Sequence, residues 1–73
     1  VSLHSTTFGY LMPTEAQKEA MTDSRSSFAE CAERVGMILP EGADKDHVMR
    51  LLRDAAMWAN VAITREADGA PRP

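Results

Sequence analysis

Tyr10, Arg25 and the hydroxyls around Arg25 are the residues whose types and spacing suit chemistry, and that chemistry is non-covalent. Tyr10 follows Gly9 in a segment with no helical register to satisfy. An aromatic there either pins the segment to the rest of the chain or stacks on a planar ligand. Arg25 interrupts the run Thr22-Asp23-Ser24-Arg25-Ser26-Ser27, rich in hydroxyls for a helix interior, where Ser and Thr are middling formers. Hydroxyls beside a guanidinium suit a phosphate, and they equally make a solvated helix face. No G-x-S-x-G, phosphate-binding loop or helical His pair occurs, so we read the chain as a non-enzyme that needs no cofactor. Cys31 has only His4 and His47 for company, without zinc-ligand spacing. As a nucleophile it would need an electropositive, partly exposed site, so it is expected in the core.

The elements that must position these residues are two helices. Residues 1–13 read as an extended N-terminal arm with Phe8, Tyr10, Leu11 and Met12 as isolated apolar anchors. Pro13 disfavours helix before it, and Thr14-Glu15-Ala16-Gln17 is a capping-box pattern that opens a helix running to about Leu39, where Pro40 stops it. Along it, Met21, Ser24, Phe28, Cys31, Val35 and Ile38 alternate three and four apart, a seam for a partner helix. Pro40-Glu41-Gly42-Ala43-Asp44 makes a short turn with Asp44 as a fresh N-cap, and a second helix runs to about Glu66. A loop this short joins antiparallel neighbours. The fold expected is all-α: an antiparallel two-helix hairpin domain over 14–66, with a flexible tail over 67–73 that lacks large apolar residues.

The second helix has almost no polar face. From Val48 to Ile63 its apolar residues fall nearly all round, whereas packing against one partner needs a stripe of only about 100°. One face, Val48, Leu52, Ala55, Ala59 and Ala62, can serve the hairpin; the other, Met49, Ala56, Met57 and Ile63, is expected against a second chain. A sequence of 73 residues with one cysteine can form no intrachain disulfide, so association is the remaining way to stabilise so small a domain. A homo-oligomer of hairpins is therefore expected. The net charge of −3, with basic residues scattered, argues against DNA as a partner but not against a small anion held locally. No apolar run approaches the ~20 residues of a membrane span and no secretory leader is read, so the expectation is a soluble cytosolic protein without a membrane partner.

Phe8-Gly9-Tyr10, a polar-capped helix, and then Ala56-Met57-Trp58-Ala59-Asn60-Val61-Ala62-Ile63-Thr64 resemble the small helical-hairpin domain of phage-encoded cyclic-nucleotide sponges, the anti-CBASS and anti-Thoeris proteins. The resemblance spans about residues 9–66. It implies a homohexamer that works in the host cell cytoplasm and sequesters cyclic di- or trinucleotide second messengers without cleaving them. It also implies roles. Tyr10 matches the arm tyrosine that stacks on a nucleobase, and Arg25 falls where the family has a basic residue on the dinucleotide phosphates. Ser27, where Thr is expected, and Arg65 correspond to a second pocket for trinucleotides. The alternative is an oligomeric interaction module that binds a host or phage protein.

Overall fold

The structure is a computed structural model and describes residues 2–73. Two helices, α1 (Glu15–Ile38) and α2 (Ala43–Thr64), pack against each other as a hairpin. The capping box opens α1 as its sequence dictates: the Thr14 hydroxyl accepts from the Gln17 N–H at 3.1 Å, and the Gln17 Oε1 accepts from the Thr14 N–H at 2.9 Å. The expected cap of α2 is corrected. The helix begins at Ala43, with Gly42 rather than Asp44 as N-cap. Gly42 sits at φ 150°, a conformation open to glycine, and its carbonyl takes the Asp46 N–H at 3.1 Å. Asp44 and Asp46 instead place negative charge in the first turn, where the helix dipole favours it.

Each helix turns a slightly different stripe inward from the one its spacing suggested. On α1 the half-buried positions are Met21, Ser24, Phe28, Ala32, Val35 and Gly36, joined by Leu39 at its C-cap, while Cys31 and Ile38 are exposed. A strict three-four alternation follows a period of 3.5, and a straight helix with 3.6 residues per turn drifts from it by about 20° per heptad. Leu39 lies five whole turns after Met21 and returns to the seam; Ile38 has rotated about 100° off it. The placement of Cys31 in the core is overturned by the same drift. On α2, Val48, Met49, Leu52, Ala56, Ala59 and Ile63 are half-buried, whereas Ala55 and Ala62 face solvent. Met49, Ala56 and Ile63 thus belong to the hairpin's inner stripe. Gly36 also faces the seam, where a methyl in its place would sit in ordinary van der Waals contact with Met49 Cε at 3.6 Å.

Among the described residues no apolar side chain is fully buried in the single chain. Outside the seam, Leu51, Met57, Trp58 and Val61 of α2 are exposed, as are Met37 and Ile38 beside the turn. Two helices can cover only one stripe each, and these residues lie beyond it. Among the described residues no helix is long and apolar enough to cross a membrane.

The tail is corrected from a frayed end to a tied one. After Thr64 the chain turns back: Glu66 N–H donates to the Ala70 carbonyl at 2.7 Å, Arg72 N–H to the Thr64 carbonyl at 2.9 Å, and Arg65 and Pro71 form an antiparallel bridge. The Asp68-Gly69 dipeptide makes this turn, with Gly69 at φ 93°. Gly69 is buried, and a Cβ on it would fall 2.2 Å from Thr7 Oγ1, so arm and tail meet at a point only glycine fits. The arm itself turns at residues 5–8, where the His4 carbonyl accepts from both the N–H and the hydroxyl of Thr7.

Candidate functional site

Arg65 organises the open end of the hairpin. It caps α2 with extended backbone, φ −133° and ψ 150°, which aims its side chain between arm and tail. Its Nη1 donates to the Thr6 carbonyl at 2.8 Å and the Gly69 carbonyl at 2.8 Å, while Nη2 donates to the Gly9 carbonyl at 2.8 Å. The planar fork of a guanidinium can reach three carbonyls at once; an ammonium cannot reproduce that geometry. Arg72 reinforces the junction, its Nε donating to the Ala62 carbonyl at 2.8 Å and its Nη1 pairing with Glu66 at 3.2 Å. Gln17 closes it from α1: its Nε2 reaches the Ile63 carbonyl at 3.4 Å and the Arg72 carbonyl at 3.3 Å.

Tyr10 follows directly on this clamp and is 85% exposed. Its hydroxyl donates to Met12 Sδ at 3.7 Å. The ring does not pin the arm, because Arg65 does. Both faces of an aromatic at such exposure are open to a planar group. Phe8 is more exposed still, and with Leu3, Trp58 and Val61 it borders a mostly apolar cavity of about 470 Å³ that Arg65 also lines.

Arg25 stands elsewhere. It lines a shallow groove of about 220 Å³ between the helices, beside Phe28, Ala29 and Ala32 of α1 and opposite Met49, Leu52, Arg53 and Ala56 of α2. Ion pairs among the described residues join Lys18 to Glu15, Lys45 to Glu41 and Arg72 to Glu66, which leaves Arg25 and Arg53 without a carboxylate partner. Ser27, two residues on from Arg25, is about 200° further round the helix. It lines a depression with Glu30, Cys31 and Arg34 instead, and its hydroxyl donates to the Asp23 carbonyl at 2.9 Å. Thr22 likewise donates to the Lys18 carbonyl at 3.0 Å. Those two hydroxyls of the run bond their own helix backbone, a use Ser and Thr often find inside helices.

Within one chain the four sequence-picked residues therefore occupy three places: Tyr10 and Arg65 at the open end, Arg25 in the inter-helix groove, and Ser27 on the opposite flank of α1. Three features escaped the sequence reading: Gln17 as a bridge, Arg53 as the counterpart of Arg25, and the arm–tail junction. The Asp68-Gly69 turn was the available signal for the last. No group of three or more potential metal ligands occurs among the described residues. No protein-family model, curated protein or solved structure matches the chain.

Proposed function

We propose that this chain is a cyclic-nucleotide sponge: a phage immune-evasion protein that binds cyclic di- or trinucleotide second messengers in the host cytoplasm, leaves them intact and so blocks CBASS-type antiphage signalling. The observation that carries the reading is Tyr10, an aromatic ring 85% exposed beside a backbone that Arg65 holds in place. Holding the backbone that carries a stacking ring lowers the ordering cost that ligand binding must meet. Arg25, unpaired in its groove, supplies a cation for phosphate. The resemblance of the Phe8-Gly9-Tyr10 and Ala56–Thr64 blocks to the sponge family supports the same assignment.

The ligand site is completed between chains. A cyclic dinucleotide carries two bases and two phosphates, and an isologous pair of hairpins presents two Tyr10 rings and two Arg25 guanidiniums to match. The exposed Leu51, Met57, Trp58 and Val61 give each chain apolar surface for a second copy, which supports the homo-oligomer, a hexamer in the sponge family. Ser27 and Arg65, apart in one chain, serve a trinucleotide pocket only where neighbouring chains bring them together. Sequestration needs tight binding and abundant protein rather than turnover.

The test is calorimetric titration of the purified protein with a panel of cyclic di- and trinucleotides. Sub-micromolar binding to a member of the panel supports the sponge. Intact oligomers that bind no cyclic nucleotide, but capture one defined host or phage protein, would favour the interaction module that the exposed α2 face also fits.

A further inference from the structure

We propose that Arg53 is a second phosphate-binding residue, acting with Arg25 across the groove between α1 and α2 to grip a phosphodiester of the bound nucleotide. The inference rests on the sponge reading and adds to it a residue contributed by the other helix. Arg25 and Arg53 line the same groove from opposite helices, and both are exposed. Neither has a carboxylate partner. Two like charges flanking one depression repel each other, and an anion between them removes that repulsion. Along α2 the residue one turn earlier on the groove side is Met49, which lines the same groove, and Asp54 is turned about 100° away from Arg53.

The groove between the two arginines has a shape that suits a nucleotide backbone. Ala29, Ala32 and Ala56 present only methyl groups, so a bulky anion can approach the helices closely. Phe28 and Leu52 add apolar surface against which a sugar can rest. Guanidinium forks bind the tetrahedral oxygens of a phosphate in pairs, which a lone arginine satisfies on one side only. The net charge of −3 does not oppose this, since charges beyond about 8 Å are screened at physiological salt.

The experiment titrates the full chain with cyclic di-AMP and, in parallel, cyclic GMP–AMP, comparing the parent protein with Arg53→Ala, Arg53→Gln, Arg53→Lys and the control Lys18→Ala. Circular dichroism verifies helicity in each, and Arg53→Gln, which keeps an uncharged stem, carries the test should Arg53→Ala unfold. The expected result is an affinity loss of about tenfold for the uncharged variants, as for removal of one charge-assisted contact. Arg53→Lys recovers part of the loss, Lys18→Ala changes nothing, and the parent's affinity falls more steeply with added salt than that of Arg53→Gln. If the parent binds and folded Arg53→Gln binds equally well with the same salt dependence, the Arg53 assignment is overturned while the sponge reading stands. If the parent binds neither nucleotide nor any other of the panel, both fall together.

Discussion

Arg65 holds the Gly9 carbonyl at 2.8 Å, and so the last residue of α2's cap fixes the backbone that delivers Tyr10. The same guanidinium reaches Thr6 and Gly69, joining arm, helix and tail in one knot. Arg65→Lys keeps the charge but cannot span all three carbonyls. We expect chymotryptic cleavage after Phe8 and Tyr10 to accelerate in Arg65→Lys, and further in Arg65→Ala, with helix content unchanged. Equal cleavage rates in all three proteins would mean that the arm is held by something other than this clamp.

Tyr10→Ala should weaken cyclic-dinucleotide binding by about 5- to 150-fold, in keeping with about 1–3 kcal/mol per stacked base in single-strand binders. The proposed oligomer should survive, because the Tyr10 ring is exposed and buries little against its own chain. Calorimetry and sedimentation on the same sample separate the two effects. Tyr10→Phe keeps the stacking face and should retain most of the affinity. Undiminished binding by Tyr10→Ala would remove the arm from the ligand site.

Gln17→Ala should lower the melting temperature. Gln17 is the buried half of the capping box and also bridges α1 to Ile63 and Arg72, so its loss frees backbone groups on three segments. A capping loss together with unsatisfied backbone groups comes to about 1–2 kcal/mol. For a domain this small that corresponds to a shift of roughly 4–16 °C, read at fixed protein concentration because association adds its own stability. Gln17→Glu keeps the acceptor for the Thr14 N–H but loses the donor, and should fall between the two. A melting temperature unchanged in Gln17→Ala would show the bridge to be idle.

Gly69→Ala should loosen the arm and leave the helices intact. The added methyl meets Thr7 Oγ1 at 2.2 Å, and φ 93° is already unfavourable for any residue with a Cβ. Faster amide exchange is expected at His4, whose N–H donates to the Asp68 carbonyl, and at Arg72. Exchange confined to the helix amides would point instead to damage of the hairpin itself.

Trp58→Glu should disperse the proposed oligomer. Trp58 is 66% exposed in the single chain, on the side of α2 turned away from the hairpin seam. A carboxylate there is costly to bury against a second copy and harmless in water. Sedimentation should show smaller species for Trp58→Glu at concentrations where the parent is assembled. An assembly unaltered by this change would place the interface elsewhere.

How much of this was legible in the sequence differs by element. Thr14-Glu15-Ala16-Gln17 and Pro40 bounded α1 correctly because capping and proline chemistry act locally. The seam drifted because spacing cannot tell a 3.5-residue period from a 3.6-residue one over a few turns; only the packed partner decides, and it chose Ala32 and Leu39 over Cys31 and Ile38. The tail was misjudged for a different reason. Its order comes from backbone hydrogen bonds with Thr64 and Glu66 and from the side-chain amide of Gln17, which composition does not register. Tyr10 and Arg25 stood out as candidates by residue type, each with a bland reading beside it. Arg53 was not, since an arginine on a helix flank looks solvated until the facing helix shows which groove it borders.

The most direct test of the sponge is a mass balance on the messenger itself. Cyclic di-AMP or the best-bound member of the panel is incubated with excess protein, the free nucleotide is measured after filtration, and the retained fraction is heated and chromatographed. The account predicts near-complete depletion of free nucleotide and full recovery of the unaltered cyclic compound on heating. Nucleotide left free in the filtrate, or recovered as a linear product, would contradict it.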